Sequence, residues 1–280
     1  MSTLPLLSIV ASGTPAPPLP DAASDDVEVW YEPDGRTVAA LGHADGAEGW
    51  WFHMPGLASF RFRATGDVVA LDRRGAAEAR IRDAYRRSVL PLVLQARGLE
   101  VLHASAVQTH RGVLALCATK ETGKSTIAYA LSRRGYALWA DDAVAMQVED
   151  RAVRAHPLPF SIRLRPASAA HFGADSSAAP IVEPSVAPLA ALFVLARDES
   201  VAEGAIVRRL TGGAALTAIL THAYCFSLAD QDRKGRMVEQ YLTVTARVPV
   251  FEARFGAGLE RLPAILDAIE RAAEVGPVRE

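Results

Sequence analysis

The residues with the most chemical content in this 280-residue chain are Ala118-Thr119-Lys120-Glu121-Thr122-Gly123-Lys124-Ser125-Thr126. They match the phosphate-loop pattern G-x-x-x-x-G-K-[ST] everywhere except its first glycine, which is Ala118. Such a loop turns backbone N–H groups and a helix N-terminus toward an anion. Lys124 adds a point charge for the β- and γ-phosphates of a nucleotide, and the Ser125 hydroxyl is placed to ligate Mg²⁺. The bland alternative is a glycine turn followed by a helix that Ser125 caps. Lysine is rare here, with three residues against 27 arginines, so a lysine directly after the glycine carries unusual weight. Two features oppose the pattern. A Cβ at Ala118 is costly if that position needs a positive φ, and Glu121 is unhelpful in an anion loop unless it points outward.

Two further groups sit at suggestive distances. Asp141-Asp142 follows Ser125 by 16 residues, the length of a helix, a turn and a strand. That spacing sets a strand end beside the loop, where one acid can hold Mg²⁺ and the other orient or deprotonate an attacking hydroxyl. The alternative is a solvated turn. His103 precedes Ala118 by 15 residues, in an apolar stretch read as a strand parallel to the loop strand. There it can tune a carboxylate or donate to a phosphate, or simply be a packed core histidine. Arg163, Arg165, Arg208 and Arg209 are lesser candidates for gripping phosphate, and Asp230–Arg236 reads as a polar loop.

Elements must position these groups. Val113–Cys117 reads as the strand entering the loop, Thr122–Arg134 as the helix leaving it, and Gly135 as its left-handed terminator. Leu99–Val107, Ala137–Ala140, Ala143–Val148, Ile162–Leu164, Leu189–Leu195, Ala205–Leu210 and Leu242–Phe251 read as strands. Ala214–Ala223 and Leu259–Ala273 read as helices, and 173–188 as a loop. Upstream, Val27–Tyr31, Thr37–Leu41, Gly49–Phe52, Phe60–Arg63 and Val68–Leu71 alternate with Gly and Pro and suggest a small β-rich module. A helix over 76–97 follows, which Pro91 should bend or split. The domain reading is a flexible N-terminus over 1–24, holding five of the 17 prolines, a β-rich module with its connecting helix over 25–97, and a phosphate-loop domain over 98–280.

Composition excludes several function classes. The net charge of −2 argues against a strongly basic nucleic-acid binder. Two cysteines, Cys117 and Cys225, cannot build a disulfide framework or a cysteine-based zinc site, and reduced thiols suit the cytoplasm. There is no asparagine, hence no N-glycosylation acceptor, and no apolar run reaches the roughly 18 residues a membrane helix needs.

The order His103, Ala118–Thr126, Asp141-Asp142, with the flanks VLHASAV and Arg134-Gly135, resembles the catalytic domain of HPr kinase/phosphorylase. It is similar above all to the short kinases of lasso-peptide and related peptide-tailoring clusters. The motif-level resemblance covers about residues 99–145. It implies an α/β (α+β) fold, a phosphate-loop domain of the HPr kinase/phosphoenolpyruvate-carboxykinase-like type with a mixed sheet. It implies ATP and Mg²⁺ as cofactors, and transfer of the γ-phosphoryl group to a serine hydroxyl of a peptide or small protein, a lasso-type precursor among them. In this resemblance Asp141 is the base, His103 adjusts it, and Lys124 with the loop amides holds the phosphates. Ser125 and Asp142 serve the metal. No nucleic-acid or membrane partner is implied, and a homo-oligomer stays open. The N-terminal half and a phosphorolysis segment have no counterpart here. A small-molecule kinase on the same fold, or a non-catalytic nucleotide- or peptide-binding module, are the alternatives.

Overall fold

In a computed structural model of the chain, residues 4–10, 27–31, 36–43, 49–72, 75–173, 185–225 and 230–276 are described. The chain divides into two units: Met1–Gly98 with Cys225–Gly235, and Leu99–Tyr224 with Arg236–Glu280.

The first unit is built on a six-stranded sheet. Strands β2 (Val27–Tyr31), β3 (Thr37–His43), β4 (Trp50–Met54), β5 (Ala58–Phe62) and β6 (Val68–Asp72) form an antiparallel meander. An unexpected strand, β1 (Leu7–Val10), pairs parallel with β6. The rest of the expected flexible segment, apart from residues 4–6, lies outside the described residues. Trp51, Phe52 and Phe60 are buried in the core of this unit. The expected break at Pro91 is present. Helix α1 (Glu78–Ala84) passes through a π-helical turn, Tyr85–Val89, into α2 (Leu90–Ala96). Proline has no N–H for the regular ladder, and a wider turn just before it accommodates the loss. Tyr85 stacks on Phe60 and donates its hydroxyl to the Pro5 carbonyl at 2.7 Å.

The second unit carries the candidate site. Its strands are β7 (Glu100–Leu102), β8 (Ala104–Thr109), β9 (Gly112–Ala118), β10 (Ala137–Ala140), β11 (Val144–Val148), β12 (Val153–His156), β13 (Ala187–Arg197), β14 (Ile206–Leu210) and β15 (Val250–Phe255). They form one mixed sheet whose central path runs β10-β8-β9-β13-β12-β11-β7, with β15 on β13 and β14 on β15. The neighbours β9, β13 and β15 run parallel, so their C-terminal ends open at one edge. Strand β9 is buried throughout, as a central strand covered on both faces must be. One face packs on α3 (Lys124–Ser132) and α7 (Leu262–Ala273), the other on α5 (Gly212–Leu220) and α6 (Gln231–Arg247). A short α4 (Pro166–Phe172) completes the unit.

Several expectations need correction. The strand carrying His103 is not continuous and not parallel to the loop strand. It breaks at His103 into β7 and β8, and β8 pairs antiparallel with β9. Residues 162–164 form no ladder, and the Arg163 N–H faces Asp141 Oδ2 at 3.4 Å. Residues 242–247, with the β-branched run Thr243-Val244-Thr245, are helical. Tyr241, Val244 and Val248 are buried at helical spacing, and Thr243 and Thr245 turn their hydroxyls back to the carbonyls of Glu239 and Leu242. The strand begins only at Val250. Residues 231–236 open α6 instead of forming a loop. Most of the expected loop over 173–188 lies outside the described residues. Among the described residues no helix is long and apolar enough to cross a membrane.

Candidate active site

The loop between β9 and α3 curls into a concave turn. The Thr122 N–H faces the Thr119 carbonyl at 3.4 Å, and the two threonine hydroxyls share a hydrogen bond of 3.0 Å. Glu121 and Gly123 both adopt left-handed conformations, φ 75° and 110°. Consecutive turns of this kind point N–H groups toward a common centre. Gly123 is the helix N-cap and supplies no capping side chain, so the first turn of α3 presents its N–H groups to an anion. Ala118 ends β9 and is absent from the positive-φ residues, so its Cβ costs nothing there. The Glu121 carboxylate points outward to Arg165 at 2.5 Å, with both side chains more than half exposed. That hydrogen bond and charge hold its carboxyl below the usual range.

Asp141 and Asp142 flank this loop. Asp141 follows β10 and is 6% exposed. Its Oδ1 accepts the Ser125 hydroxyl at 2.8 Å and the Ser105 hydroxyl at 2.5 Å. Its Oδ2 lies 3.4 Å from the Arg163 N–H. Asp142 takes a left-handed conformation, φ 67°, which turns its side chain away from that of its neighbour. Its Oδ1 is 3.6 Å from the Lys124 Nζ, and Lys124 itself is buried. The resemblance gave Asp142 to the metal and Asp141 to the proton. The geometry sets Ser125 on Asp141 and Lys124 beside Asp142.

His103 sits at the break between β7 and β8, where its backbone N–H leaves the strand ladder. Its Nδ1 is 2.9 Å from the Asp142 carbonyl. A carbonyl only accepts, so Nδ1 carries the hydrogen and Nε2 of the neutral ring is left as an acceptor. Burial, then the Lys124 charge, lower the pKa of His103 despite both aspartates, so the neutral ring is favoured. His222 is drawn in from the end of α5. Its carbonyl accepts the His103 N–H at 2.8 Å, and its pKa is lowered by burial, His103 and Lys124. The Tyr224 ring meets His103 edge-on, 6.3 Å between centroids.

Sequence reasoning missed three contributors. Ser105 had a signal, a hydroxyl inside an otherwise apolar buried strand. His222 carries no local signal, because its approach depends on a bridge between Leu102 and Ala223. Arg197 ends β13 beside the loop, and nothing among 27 arginines singled it out. Of the arginines that were singled out, Arg163 reaches the site through its backbone and Arg165 through Glu121. Arg208 pairs with Glu252.

No protein-family model matches the chain, and no curated protein matches it. Among solved structures it is similar to the Hpr(Ser) kinase/phosphatase from Coxiella burnetii. The identity is 14%, the match covers 62% of this chain and 90% of that one, and the TM-score is 0.36. A likeness at that level carries no argument about chemistry, which therefore rests on the residues above.

Proposed function

We propose that the protein is an ATP- and Mg²⁺-dependent kinase. It transfers the γ-phosphoryl group to a serine hydroxyl of a peptide or small protein, with a lasso-type precursor peptide as the candidate acceptor. The observation that carries this reading is the meeting of four groups from distant segments. Lys124 and Ser125 open α3, and Asp141 and Asp142 close β10, with Ser125 on one acid and Lys124 beside the other.

The residues present fit the cofactors. The uncapped first turn of α3 and Lys124 suit phosphate oxygens. Ser125 and Asp141 offer Mg²⁺ two oxygens from the protein. Among the described residues no group of three or more His, Cys, Asp or Glu could hold a metal, so nucleotide oxygens would complete the shell, as is usual for Mg²⁺. Bound ATP supplies the phosphoryl group. In the transfer, the acceptor's oxygen forms a bond to the γ-phosphorus and the bond to the β-phosphate oxygen breaks. Asp142 takes the hydroxyl proton, and His103 fixes the Asp142 backbone through its carbonyl. This division of the acids is the opposite of that expected above. Its support is that the Ser125 hydroxyl, the other group expected at the metal, already lies on Asp141. The two departures that favoured a non-catalytic module carry less weight, since Ala118 is in an extended conformation and Glu121 faces outward.

Intact-mass measurement after incubating candidate precursor peptides with the protein and Mg-ATP tests the reading. The expected result is the gain of one phosphoryl group, lost in Lys124→Ala. Asp142→Asn should lower turnover by about 100-fold or more with nucleotide affinity retained, whereas Asp141→Asn should weaken the Mg²⁺ dependence first. Turnover unchanged in both aspartate variants removes this site from the chemistry.

A further inference from the structure

Arg197 has no role in the reading above, and its position gives it one. Strand β13 runs parallel to β9 with Leu195 in register with Ala118, so Arg197 projects two residues past the point where the phosphate loop begins. Alternate residues of a strand share a face. Phe193 and Leu195 pack on the side of α3 and α7, which puts Arg197 on the same side as the first turn of α3. Its Nη2 lies 3.5 Å from where a Cβ on Gly123 would stand. The guanidinium is held rather than loose. It lies over the Phe255 ring, 5.0 Å from its centroid, and Nη1 donates to the Gly256 carbonyl at 2.8 Å. That bond uses one of five N–H donors. Arg197 is exposed, so a ligand can reach the remaining donors.

The opposite flank of the loop carries the acids. Ser105 on β8 and Asp141 after β10 lie beyond β9 from β13 in the sheet order. A polyphosphate held at α3 would therefore meet Arg197 on one side and Asp141 and Asp142 on the other. The acids mark the end where the phosphoryl group leaves. We infer that Arg197 is a nucleotide-binding residue: its planar fork grips the phosphates that stay with the nucleotide, from the side of the loop away from the reacting hydroxyl. A guanidinium suits this task, because it is always charged, bonds phosphate through paired N–H groups, and is here pre-oriented by Phe255 and Gly256.

The inference rests on the proposed nucleotide site, and the test separates the two. Binding of Mg-ATP, Mg-ADP and adenosine to the full chain is measured by titration calorimetry for the wild type, R197M and R197K. Melting without nucleotide is recorded alongside. R197M keeps an apolar stem on Phe255 and removes every donor. We expect Kd for Mg-ATP and Mg-ADP to rise together by about ten- to a hundred-fold in R197M, with R197K between. Adenosine binding, which involves no phosphate, should change by less than about three-fold. Should R197M fail to fold, R197K supplies the comparison, since it keeps the charge and loses the fork. Equal binding of Mg-ATP by wild type and variant overturns the inference and leaves the kinase reading intact. So does an equal loss for adenosine. A wild type that binds no Mg-ATP overturns both.

Discussion

Ser105→Ala is the sharpest test of how the site is held together. Ser105 is fully buried, and its hydroxyl donates at 2.5 Å to Asp141 Oδ1, an atom it shares with the Ser125 hydroxyl. The substitution removes one small polar atom and leaves almost no cavity, so the cost is the lost bond to a buried acid. A hydrogen bond to a charged group contributes about 1.5–3 kcal/mol. With two donors remaining to Asp141, about 2 kcal/mol is a reasonable loss. For a chain of this size, roughly 2–4 °C per kcal/mol gives a fall in melting temperature of about 4–8 °C. A double-mutant cycle with Asp141→Ala, which removes the acceptor, isolates the pair. If the bond exists, the two single losses should exceed the double loss by about 1–2 kcal/mol. The same substitution loosens the carboxylate proposed to hold Mg²⁺, so the concentration of Mg²⁺ needed for nucleotide binding should rise by about ten-fold. Calorimetric melting and a Mg²⁺ titration of nucleotide binding read both effects. Effects that add to within about 0.5 kcal/mol, together with an unchanged Mg²⁺ requirement, would refute the claim that Ser105 positions Asp141.

Other consequences are simpler. Glu121→Gly removes a negative charge and a strained φ from the loop, and gives up only an exposed pair with Arg165; nucleotide affinity, read by titration, should rise about two- to five-fold. His103, His156 and His222 all have lowered pKa values, with burial the first cause in each. The unfolded chain therefore takes up protons first. Their stability contribution is whole above the ordinary histidine value of 6.5 and drains away as pH falls below it toward the folded values. Melting temperature should drop from about pH 8 to about pH 5.5, less so in His103→Gln; a flat profile in the wild type would contradict the burial argument. Burial pushes the Cys117 thiol up to about 12, whereas Cys225 is half-buried. A thiol reagent should modify Cys225 in the native protein and reach Cys117 only on unfolding, as mass spectrometry would show.

Much of this was legible in the chain because the signals are local. The loop motif, its entering strand and its helix lie within one continuous stretch, and their pattern is governed by neighbours three or four residues apart. The break in the helix near Pro91, though not its π-helical form, and the left-handed Gly135 are likewise announced by single residues whose backbone chemistry is unusual. The errors have the opposite origin. Thr243-Val244-Thr245 looks like a strand by β-branching, yet helix burial of Tyr241, Val244 and Val248 outweighs that small propensity. The stretch around His103 looks like one strand, yet its two halves pair with different partners, β11 and β9.

The amino-acid sequence alone determined which residues could handle a phosphate, since Lys124, Ser125, Asp141, Asp142 and His103 carry that chemistry wherever they lie. Tertiary structure decided which of them meet. Ser125 with Asp141, Lys124 with Asp142, His103 with the Asp142 carbonyl, and Arg197 near Gly123 are approaches across 16 to 74 residues of chain. Their geometry follows from strand order, from the antiparallel run of β8 against β9, and from one left-handed aspartate. No spacing along a chain encodes these, because they arise only when distant strands share a sheet.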